Sequence, residues 1–175
     1  MTLGIKGTTT DVITRKMFEF AGFTEQDMRL IQNLGFQDGV EQMKNGQMDA
    51  YILVGPSPYP FVSDLSLTED IRVLPLDDEL IRQLNEWNNG ILPTVLPAGV
   101  YKNVDSEIKT VQTPLNILID NRIDEETVFN MVKVIMDNTE AIAQVNPGIQ
   151  KFKQEDYFVD YGVPYHPGVV KYLGK

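Results

Sequence analysis

The chain contains no cysteine, and His166 is its only histidine. The lack of cysteine excludes disulfides, zinc–thiolate sites, iron–sulfur clusters and cysteine nucleophiles. A Ser-His-Asp relay would have to use His166, and one histidine cannot build a histidine-rich metal site. We expect His166 to be structural, because Tyr165 and Pro167 flank it and no acid or nucleophile lies nearby in the sequence. We therefore expect no catalytic residues, no metal site and no enzymatic activity.

Clusters of basic residues and long apolar runs are also missing. The net charge is -10, and the 15 Lys and Arg residues are scattered along the chain. Nucleic-acid binding needs clustered positive charge, so we expect no nucleic-acid partner. No Gly-x-Gly-x-x-Gly or phosphate-loop lysine pattern is present, and we expect no cofactor. No apolar run approaches the roughly 20 residues of a membrane-spanning helix. The N-terminus lacks a signal-peptide pattern, although a mature exported protein would look the same.

The first part of the chain alternates short apolar runs with amphipathic segments. Residues 2–6, 28–33 and 48–54 are typical of strands. Apolar residues at helical spacing predict a first helix that ends at Gly22 and a second that ends at Gly46. This β-α-β order predicts an α/β fold with parallel strands, in which ligands bind at the carboxyl ends of the strands.

Two loops follow strands in this pattern and are our candidate ligand-binding segments. Thr8, Thr9 and Thr10 follow Gly7 at the start of the first helix, where free backbone N–H groups and hydroxyls suit a carboxylate. Ordinary N-capping by threonine explains the same residues equally well. Gly55, Pro56 and Ser57 follow the third strand and would face the same crevice, or would simply form a rigid turn. A further candidate is Tyr51, which could point into the crevice or into the core. Gln112 and Thr113 are candidates because they lie in the crossing region and could line the crevice.

The rest of the chain shows further elements and one change in composition. We predict a short helix near residues 59–67, a strand over 71–76 and a helix that opens at Asp77 and stops at Asn89 and Gly90. Trp87 is predicted to pack in the core. Residues 93–105, rich in Pro and Gly, are predicted to cross between two substructures, and residues 110–119 to be extended. The longest predicted helix opens at Asp124 and ends at residues 146–148, with a buried stripe of Val128, Met131, Val132, Ile135 and Ile142.

Four stretches in this order resemble the TAXI family of solute receptors, which serve tripartite ATP-independent periplasmic (TRAP) transporters. The first two are Gly-Thr-Thr-Thr-Asp at residues 7–11 and Gly-Gln-Met-Asp-Ala at 46–50. The third is Ile-Arg-Val-Leu-Pro-Leu-Asp-Asp at 71–78. The fourth is the pair Leu-Pro-Ala-Gly-Val-Tyr at 96–101 and Val-Pro-Tyr-His-Pro-Gly at 163–168. The resemblance covers essentially the whole chain.

The resemblance implies a type II periplasmic-binding-protein fold, whose two lobes close on a ligand. Residues 1–105 would be the second lobe, and residues 106–175 the crossover and the C-terminal part of the first lobe. The opening half of that first lobe would be missing. The implied ligand is a small carboxylate such as glutamate, held at Thr8–Thr10 and at Gly55–Ser57. The implied partners are membrane permease subunits, and the implied location is periplasmic or extracytoplasmic.

Two alternatives to a receptor remain open at this point. A ligand-sensing effector domain of a regulator has the same two-lobed fold, although no helix-turn-helix or basic segment is present. A small enzyme on this fold is the other alternative. An incomplete first lobe would also leave the apolar residues 114–119 without neighbours. We therefore expect self-association of the chain through unpaired strand edges.

Overall fold

The computed structural model describes residues 1–145, 158 and 162–174. The chain divides into two compact units, Met1–Pro114 and Leu115–Lys175. This division falls after the expected boundary between residues 105 and 106, and the assignment of the two parts to lobes stays a prediction. Among the described residues, no helix is both long and apolar enough to cross a bilayer.

Helices dominate the first unit. Its elements are α1 (Thr9–Phe20), a 3₁₀ turn (Glu25–Asp27), α2 (Phe36–Lys44), α3 (Pro60–Thr68), α4 (Asp78–Trp87), β1 (Leu92–Leu96) and β2 (Ile108–Gln112). The helix positions match the sequence predictions, because the signals that start and stop a helix are local. Asp77 caps α4 by accepting a hydrogen bond from the Leu80 amide, and Gly22 and Gly46 follow α1 and α2 with positive φ as predicted.

The three predicted parallel strands are reduced to single bridges at Thr2. Thr2 pairs in parallel with Gln32 on one side and with Tyr51 on the other. The parallel direction is confirmed, whereas the predicted lengths over 2–6, 28–33 and 48–54 are wrong. The physical reason lies at Gly4, whose φ of +79° turns the backbone out of the extended conformation. The Thr2 hydroxyl then accepts the amides of Gly4 and Leu34, both at 3.2 Å, in place of a continued ladder.

The only ladder within the described residues is antiparallel and joins β1 to β2. Leu92 pairs with Gln112, and Leu96 pairs with Ile108. The expected crossing segment 93–105 therefore begins with a strand, which its Pro and Gly content did not indicate. Pro93 lies within this strand, because proline is tolerated in an edge strand. The crossing between two substructures stays a prediction. Residues 71–76 form no ladder, and the Leu76 amide donates to the carbonyl of Lys109 in β2 at 3.0 Å.

The core of the first unit joins α1, α4 and β2. Ile13, Leu84 and Ile91 are buried at its centre. Partly buried apolar side chains pack around them: Met17, Phe20, Val54, Leu76, Leu80 and Val111. Trp87 was predicted in this core but is 40 % exposed, and the Lys16 ammonium lies 5.4 Å from its ring centroid. It lies at the end of α4, where its ring faces the Lys16 ammonium instead of filling the interior.

The second unit contains α5 (Glu125–Asp137), α6 (Thr139–Val145) and α7 (Pro167–Tyr172). The single long helix predicted from Asp124 is interrupted at Asn138, whose side-chain amide donates to the carbonyl of Val134 at 2.7 Å. Of the predicted buried stripe, only Val128 is fully buried, whereas Met131 is 42 % exposed. The predicted helix end at 146–148 lies outside the described residues.

Gly168 explains why Val128 is the best-packed residue of α5. A Cβ at Gly168 would lie 2.5 Å from the carbonyl oxygen of Glu125 and 2.7 Å from the amide nitrogen of Phe129. The start of α7 therefore rests on the backbone of α5. The predicted extended run 110–119 is a strand only as far as Gln112, and Leu115 beyond it is 98 % exposed.

Candidate functional site

The first helix begins as the sequence predicts, with Thr8 as its N-cap. The Thr8 hydroxyl accepts the Asp11 amide at 3.4 Å and donates to the carbonyl of Ile5 at 2.7 Å. Both hydrogen-bonding functions of this hydroxyl are therefore used within the chain. Thr9 is exposed, and no hydrogen bond of its side chain is found among the described residues. Its amide and that of Thr10 are first-turn amides, which have no acceptor inside a helix.

Thr10 is turned inward and connects the two candidate loops. Its side chain is 4 % exposed, and its hydroxyl oxygen accepts the amide of Val54 at 3.1 Å. Its methyl group lies against Gly4, where a Cβ would come within 2.8 Å of it. The start of α1 is thereby tied to the residue that precedes Gly55. The structure thus brings together two segments that the sequence predicted to share one edge of the parallel strands.

A buried carboxylate occupies part of the helix start. Asp11 is 4 % exposed, and its Oδ2 accepts the amide of Gly7 at 2.8 Å. Its Oδ1 accepts from Arg15 Nε at 2.7 Å and from Asn33 Nδ2 at 3.5 Å. The hydrogen bond from Gly7, together with Arg15, holds the pKa of Asp11 below its usual value although burial opposes this shift. The Gly7 amide is consequently taken by the protein's own carboxylate.

The strand-end loop lies under an aromatic ring. Gly55 and Pro56 are exposed, whereas the Ser57 hydroxyl oxygen is buried and has no hydrogen-bond partner among the described residues. A Cβ at Gly55 would come within 3.1 Å of the Tyr59 ring, so a larger residue here would push the ring away from the backbone by a few tenths of an ångström. The Tyr59 amide donates to the hydroxyl of Tyr101 at 2.8 Å. Tyr59 and Tyr101 therefore fix the conformation of the loop.

Tyr51 points into the protein near the same loop. Its hydroxyl is buried without a hydrogen-bond partner in the described part of the chain. Burial raises the pKa of this hydroxyl, and the nearby Tyr59 adds to the effect. The ring centroid lies 6.3 Å from that of Phe36, which in turn lies 5.0 Å from that of Tyr59. The buried hydroxyl of Tyr51 thus belongs to this aromatic cluster, and the buried hydroxyl of Ser57 lies two residues before Tyr59 in the sequence. Buried polar atoms without partners are rare in folded proteins.

The remaining candidates are not joined to this group. Gln112 is an exposed residue paired with Leu92 at the end of β2, and Thr113 is half-buried. No hydrogen bond connects either residue to the two loops in the described part of the chain. In the second unit, an open surface groove of about 530 Å³ lies on α5 and is lined by Thr127, Asn130, Met131, Val134 and Ile135.

His166 has the expected structural position in the second unit. Its Nδ1 accepts the amide of Gly168 at 3.2 Å, so this nitrogen carries no proton. Its Nε2 lies 3.1 Å from the carbonyl of Ile123 and donates to it. Both ring nitrogens are used to cap α7 and to hold the segment before α5. No group of three or more His, Asp or Glu residues in the described ranges could hold a metal ion.

Sequence reasoning missed three contributors to the geometry: Asp11, Tyr59 and Lys6. The spacing of Asp11 and Arg15, four residues apart on one helix, was a visible signal for their ion pair. Nothing local indicated that the Tyr59 ring would cover Gly55. Lys6 is exposed beside the helix start, near enough to lower the pKa of Asp11, and has no ion-pair partner among the described residues.

The described geometry is that of an α/β unit with a hydroxyl-rich helix start tied to a strand-end loop. Comparison with protein-family models matches residues 1–174 to the NMT1-like family. The match extends over both compact units. The chain therefore belongs to the NMT1-like family, which is related to periplasmic solute-binding proteins.

Proposed function

We propose that this chain is an extracytoplasmic receptor that captures a small carboxylate, such as glutamate, for a TRAP-type importer. Membership of the NMT1-like family supports a solute-binding role in general. The carboxylate, the permease partner and the extracytoplasmic location are our proposals, and they rest on the resemblance to TAXI receptors. We further propose that capture involves no chemical conversion of the ligand.

The observation that carries this proposal is the hydrogen bond from Val54 to the Thr10 hydroxyl. It holds the first turn of α1 beside the loop that contains Ser57. The amides of Thr9 and Thr10 have no intrahelical acceptor, and the dipole of α1 favours a negative charge at this end. A carboxylate that accepts hydrogen bonds from these amides would also meet the exposed Thr9 hydroxyl. Amides, hydroxyl and helix dipole together form a common type of anion site.

Lys6 supplies the positive charge that an anion site requires. It is exposed beside the helix start, and in the described part of the chain it has no ion-pair partner. The whole chain carries a net charge of -10, so an anion is repelled from most of its surface. The unpaired Lys6 and the positive end of α1 offset this repulsion at one place. This local charge favours a small anion over a cation at the helix start.

A thermal-shift screen tests the proposal directly. The panel contains glutamate, glutamine, 2-oxoglutarate and short dicarboxylates, each at about one hundred times its dissociation constant where one is measurable. Ligand at that excess stabilises the folded state by about 2.7 kcal/mol. For a chain of this size the expected rise in Tm is about 5–10 °C. No rise in Tm with any compound of the panel would remove the receptor hypothesis.

A pair of threonine variants localises the binding site. Thr9→Val removes the exposed hydroxyl at the helix start while keeping the side-chain shape, and we expect about tenfold weaker binding from the loss of one charge-assisted hydrogen bond. Thr68→Val is the matched control, because Thr68 is an exposed helical threonine at the end of α3. Equal affinities of Thr9→Val and Thr68→Val would place the ligand away from α1.

Two further observations distinguish the alternative functions from a receptor. An enzyme would convert the stabilising compound, so the compound recovered after long incubation would differ in mass from the compound added. Recovery of unchanged ligand agrees with a receptor. A ligand-sensing effector domain would also be stabilised, but in the cell it would be found joined to a DNA-binding segment and not beside a permease.

A further inference from the structure

Two asparagine–glycine pairs lie in turns of the first unit. Asn45-Gly46 follows α2, and Asn89-Gly90 lies between α4 and β1. Both asparagines are exposed. An asparagine followed by glycine can lose its side-chain amide without an enzyme, because glycine has no Cβ that keeps its nitrogen away from the asparagine side chain. The sequence makes both pairs candidates for this reaction, and the hydrogen bonds of the two glycine amides decide between them.

The reaction is an attack of the glycine nitrogen on the preceding side chain. Hydroxide removes the proton of the glycine amide, the nitrogen forms a bond to Cγ of the asparagine, and the side-chain nitrogen takes a proton from water and leaves as ammonia. Water then opens the resulting cyclic imide at one of its carbon–nitrogen bonds. The product is aspartate, or isoaspartate, whose main chain runs through Cβ and Cγ. A glycine N–H held by another acceptor reacts more slowly, because that hydrogen bond must open first.

The glycine amide of the first pair is held by the backbone of α2. Gly46 donates to the carbonyl of Met43 at 3.0 Å. The flanking amides of Asn45 and Gln47 also donate to carbonyls of α2, at 3.0 and 2.8 Å. These bonds belong to a helix C-terminus that is closed by a glycine with positive φ. Reaction at Asn45 therefore requires the last turn of α2 to open.

The glycine amide of the second pair is held by a side chain. Gly90 donates to Oδ1 of Asn88 at 2.9 Å, and Asn88 is exposed. A rotation of this side chain frees the amide while α4 keeps its backbone hydrogen bonds. The side chain of Asn89 is exposed and has no hydrogen bond in the described part of the chain. We propose that Asn89 is a site of spontaneous deamidation, and that its isoaspartate product loosens the connection between α4 and β1.

The isoaspartate would lie two residues before a central residue of the core. Ile91 is 2 % exposed. Its amide donates to the carbonyl of Asn88 at 2.9 Å, and its carbonyl accepts from Asn85 Nδ2 at 2.7 Å. Isoaspartate at position 89 adds one carbon to the main chain inside the turn that Asn88 and Ile91 close. Because core side chains are closely packed, the longer turn displaces Ile91 or breaks these hydrogen bonds, and the first unit loses stability.

Peptide masses after slow incubation test the site. The folded wild-type chain is kept at mildly alkaline pH and then digested with trypsin, which cuts after Lys44, Arg72, Arg82 and Lys102. Peptides 45–72 and 83–102 then each contain one of the two pairs. The mass change of an NH2-to-OH exchange should appear about fivefold faster in 83–102, which is the factor of roughly one additional hydrogen bond. Fragment ions should place the change at Asn89.

The same incubation in urea is the control for the role of the structure. In the unfolded chain both glycine amides are free, so the two peptides should react at comparable rates. Deamidation of 45–72 as fast as that of 83–102 in the folded chain overturns the proposal. A ratio of rates that is the same in urea as in the folded chain also overturns it, because the difference would then come from the neighbouring residues alone.

Two variants at Asn88 test the hydrogen bond to Gly90. Asn88→Ala removes the acceptor, and deamidation at Asn89 should become about fivefold faster. Asn88→Asp keeps an oxygen at the same place and should react no faster than the wild type. An Asn88→Ala chain that reacts at the wild-type rate overturns the proposal.

Gly90→Ala is the unreactive variant. It adds a Cβ beside the attacking nitrogen, and the reaction at Asn89 should be lost over the same incubation. The φ of Gly90 lies outside the left-handed region, so alanine can adopt this backbone. The new Cβ would lie 3.2 Å from Oδ1 of Asn88, an exposed side chain that can move. Deamidation of Gly90→Ala at the wild-type rate would contradict attack by the glycine nitrogen.

Thermal unfolding tests the structural consequence. The fraction of incubated wild-type protein that contains isoaspartate should have a lower Tm than fresh protein. Asn89→Asp adds the same negative charge with an ordinary main chain and should keep the wild-type Tm. Incubated Gly90→Ala should keep the Tm of fresh Gly90→Ala, which excludes other chemical changes as the cause. An isoaspartate-containing fraction as stable as fresh wild type overturns the proposal.

Discussion

Substitution of Thr10 by valine tests the connection between the two candidate loops. Valine has nearly the shape of threonine, so the methyl group that lies against Gly4 is retained. The hydroxyl oxygen that accepts the Val54 amide at 3.1 Å is lost. Thr10 is 4 % exposed and Val54 is half-buried, so water has restricted access to the Val54 amide left behind. The variant therefore removes one hydrogen bond and leaves its donor unpaired.

The expected loss of stability in Thr10→Val follows from two opposing contributions. A buried donor without an acceptor costs about 1–3 kcal/mol. The additional buried methyl group of valine stabilises the folded state by up to about 0.8 kcal/mol and offsets part of this cost. We therefore expect the free energy of unfolding to fall by about 1–2 kcal/mol, which corresponds to a decrease in Tm of about 3–6 °C for a chain of this size. Urea denaturation and a thermal scan both measure this change.

Thr10→Ser is the matched control for this prediction. Serine keeps the acceptor for Val54 but loses the methyl group against Gly4, which costs about 1 kcal/mol of packing. The two variants should therefore be destabilised to a similar extent for different reasons. Only Thr10→Val releases the strand-end loop, so ligand affinity should fall in Thr10→Val and persist in Thr10→Ser. A Thr10→Val protein as stable as the wild type would refute the reasoning, because the hydrogen bond would then contribute nothing.

Two further predictions concern the second unit. Gly168→Ala should lower the free energy of unfolding of that unit by about 2–3 kcal/mol. The new Cβ would lie 2.5 Å from a backbone oxygen of α5, and a helix backbone cannot move aside as a side chain can. If the α5 amides of this variant are protected from hydrogen exchange as well as those of the wild type, the packing of Gly168 on α5 is contradicted. The apolar segment after β2, with Leu115 98 % and Leu118 86 % exposed, should promote self-association of the chain. Sedimentation should show larger species that dissociate in the double variant Leu115→Lys, Leu118→Lys, and a wild-type monomer at all concentrations would refute this.

The helices could be predicted because their signals lie within a few residues. Thr8, Asp77 and Asp124 each accept an amide of the first turn that follows, as their positions before an apolar periodicity indicate. The interruption at Asn138 could not be predicted in this way. Its side chain returns to the carbonyl of Val134, and the apolar spacing continues across the break. Periodicity alone does not distinguish one long helix from two consecutive helices.

The strands were predicted less well because strand pairing is a non-local property. The run 48–54 has the composition of a buried strand, yet only Tyr51 pairs, with Thr2 far away in the sequence. Conversely, Pro93 argued for a connection, and the antiparallel partner Val111 made it part of β1. Which segment lies beside which depends on the packing of α1 and α4 on β2. No window of sequence contains that information.

The sequence by itself determined the α/β character, the helix starts and the two loops with hydroxyl and glycine residues, because capping, periodicity and backbone freedom act over a few residues. Only the tertiary structure decided how the hydroxyls are used. In the folded chain the Thr10 hydroxyl accepts the Val54 amide, the Thr8 hydroxyl donates to the nearby carbonyl of Ile5, and Thr9 is exposed. The Gly7 amide donates its hydrogen bond to the carboxylate of Asp11. Each buried polar group must find a partner, and which partner is within reach depends on segments that meet only in the folded chain.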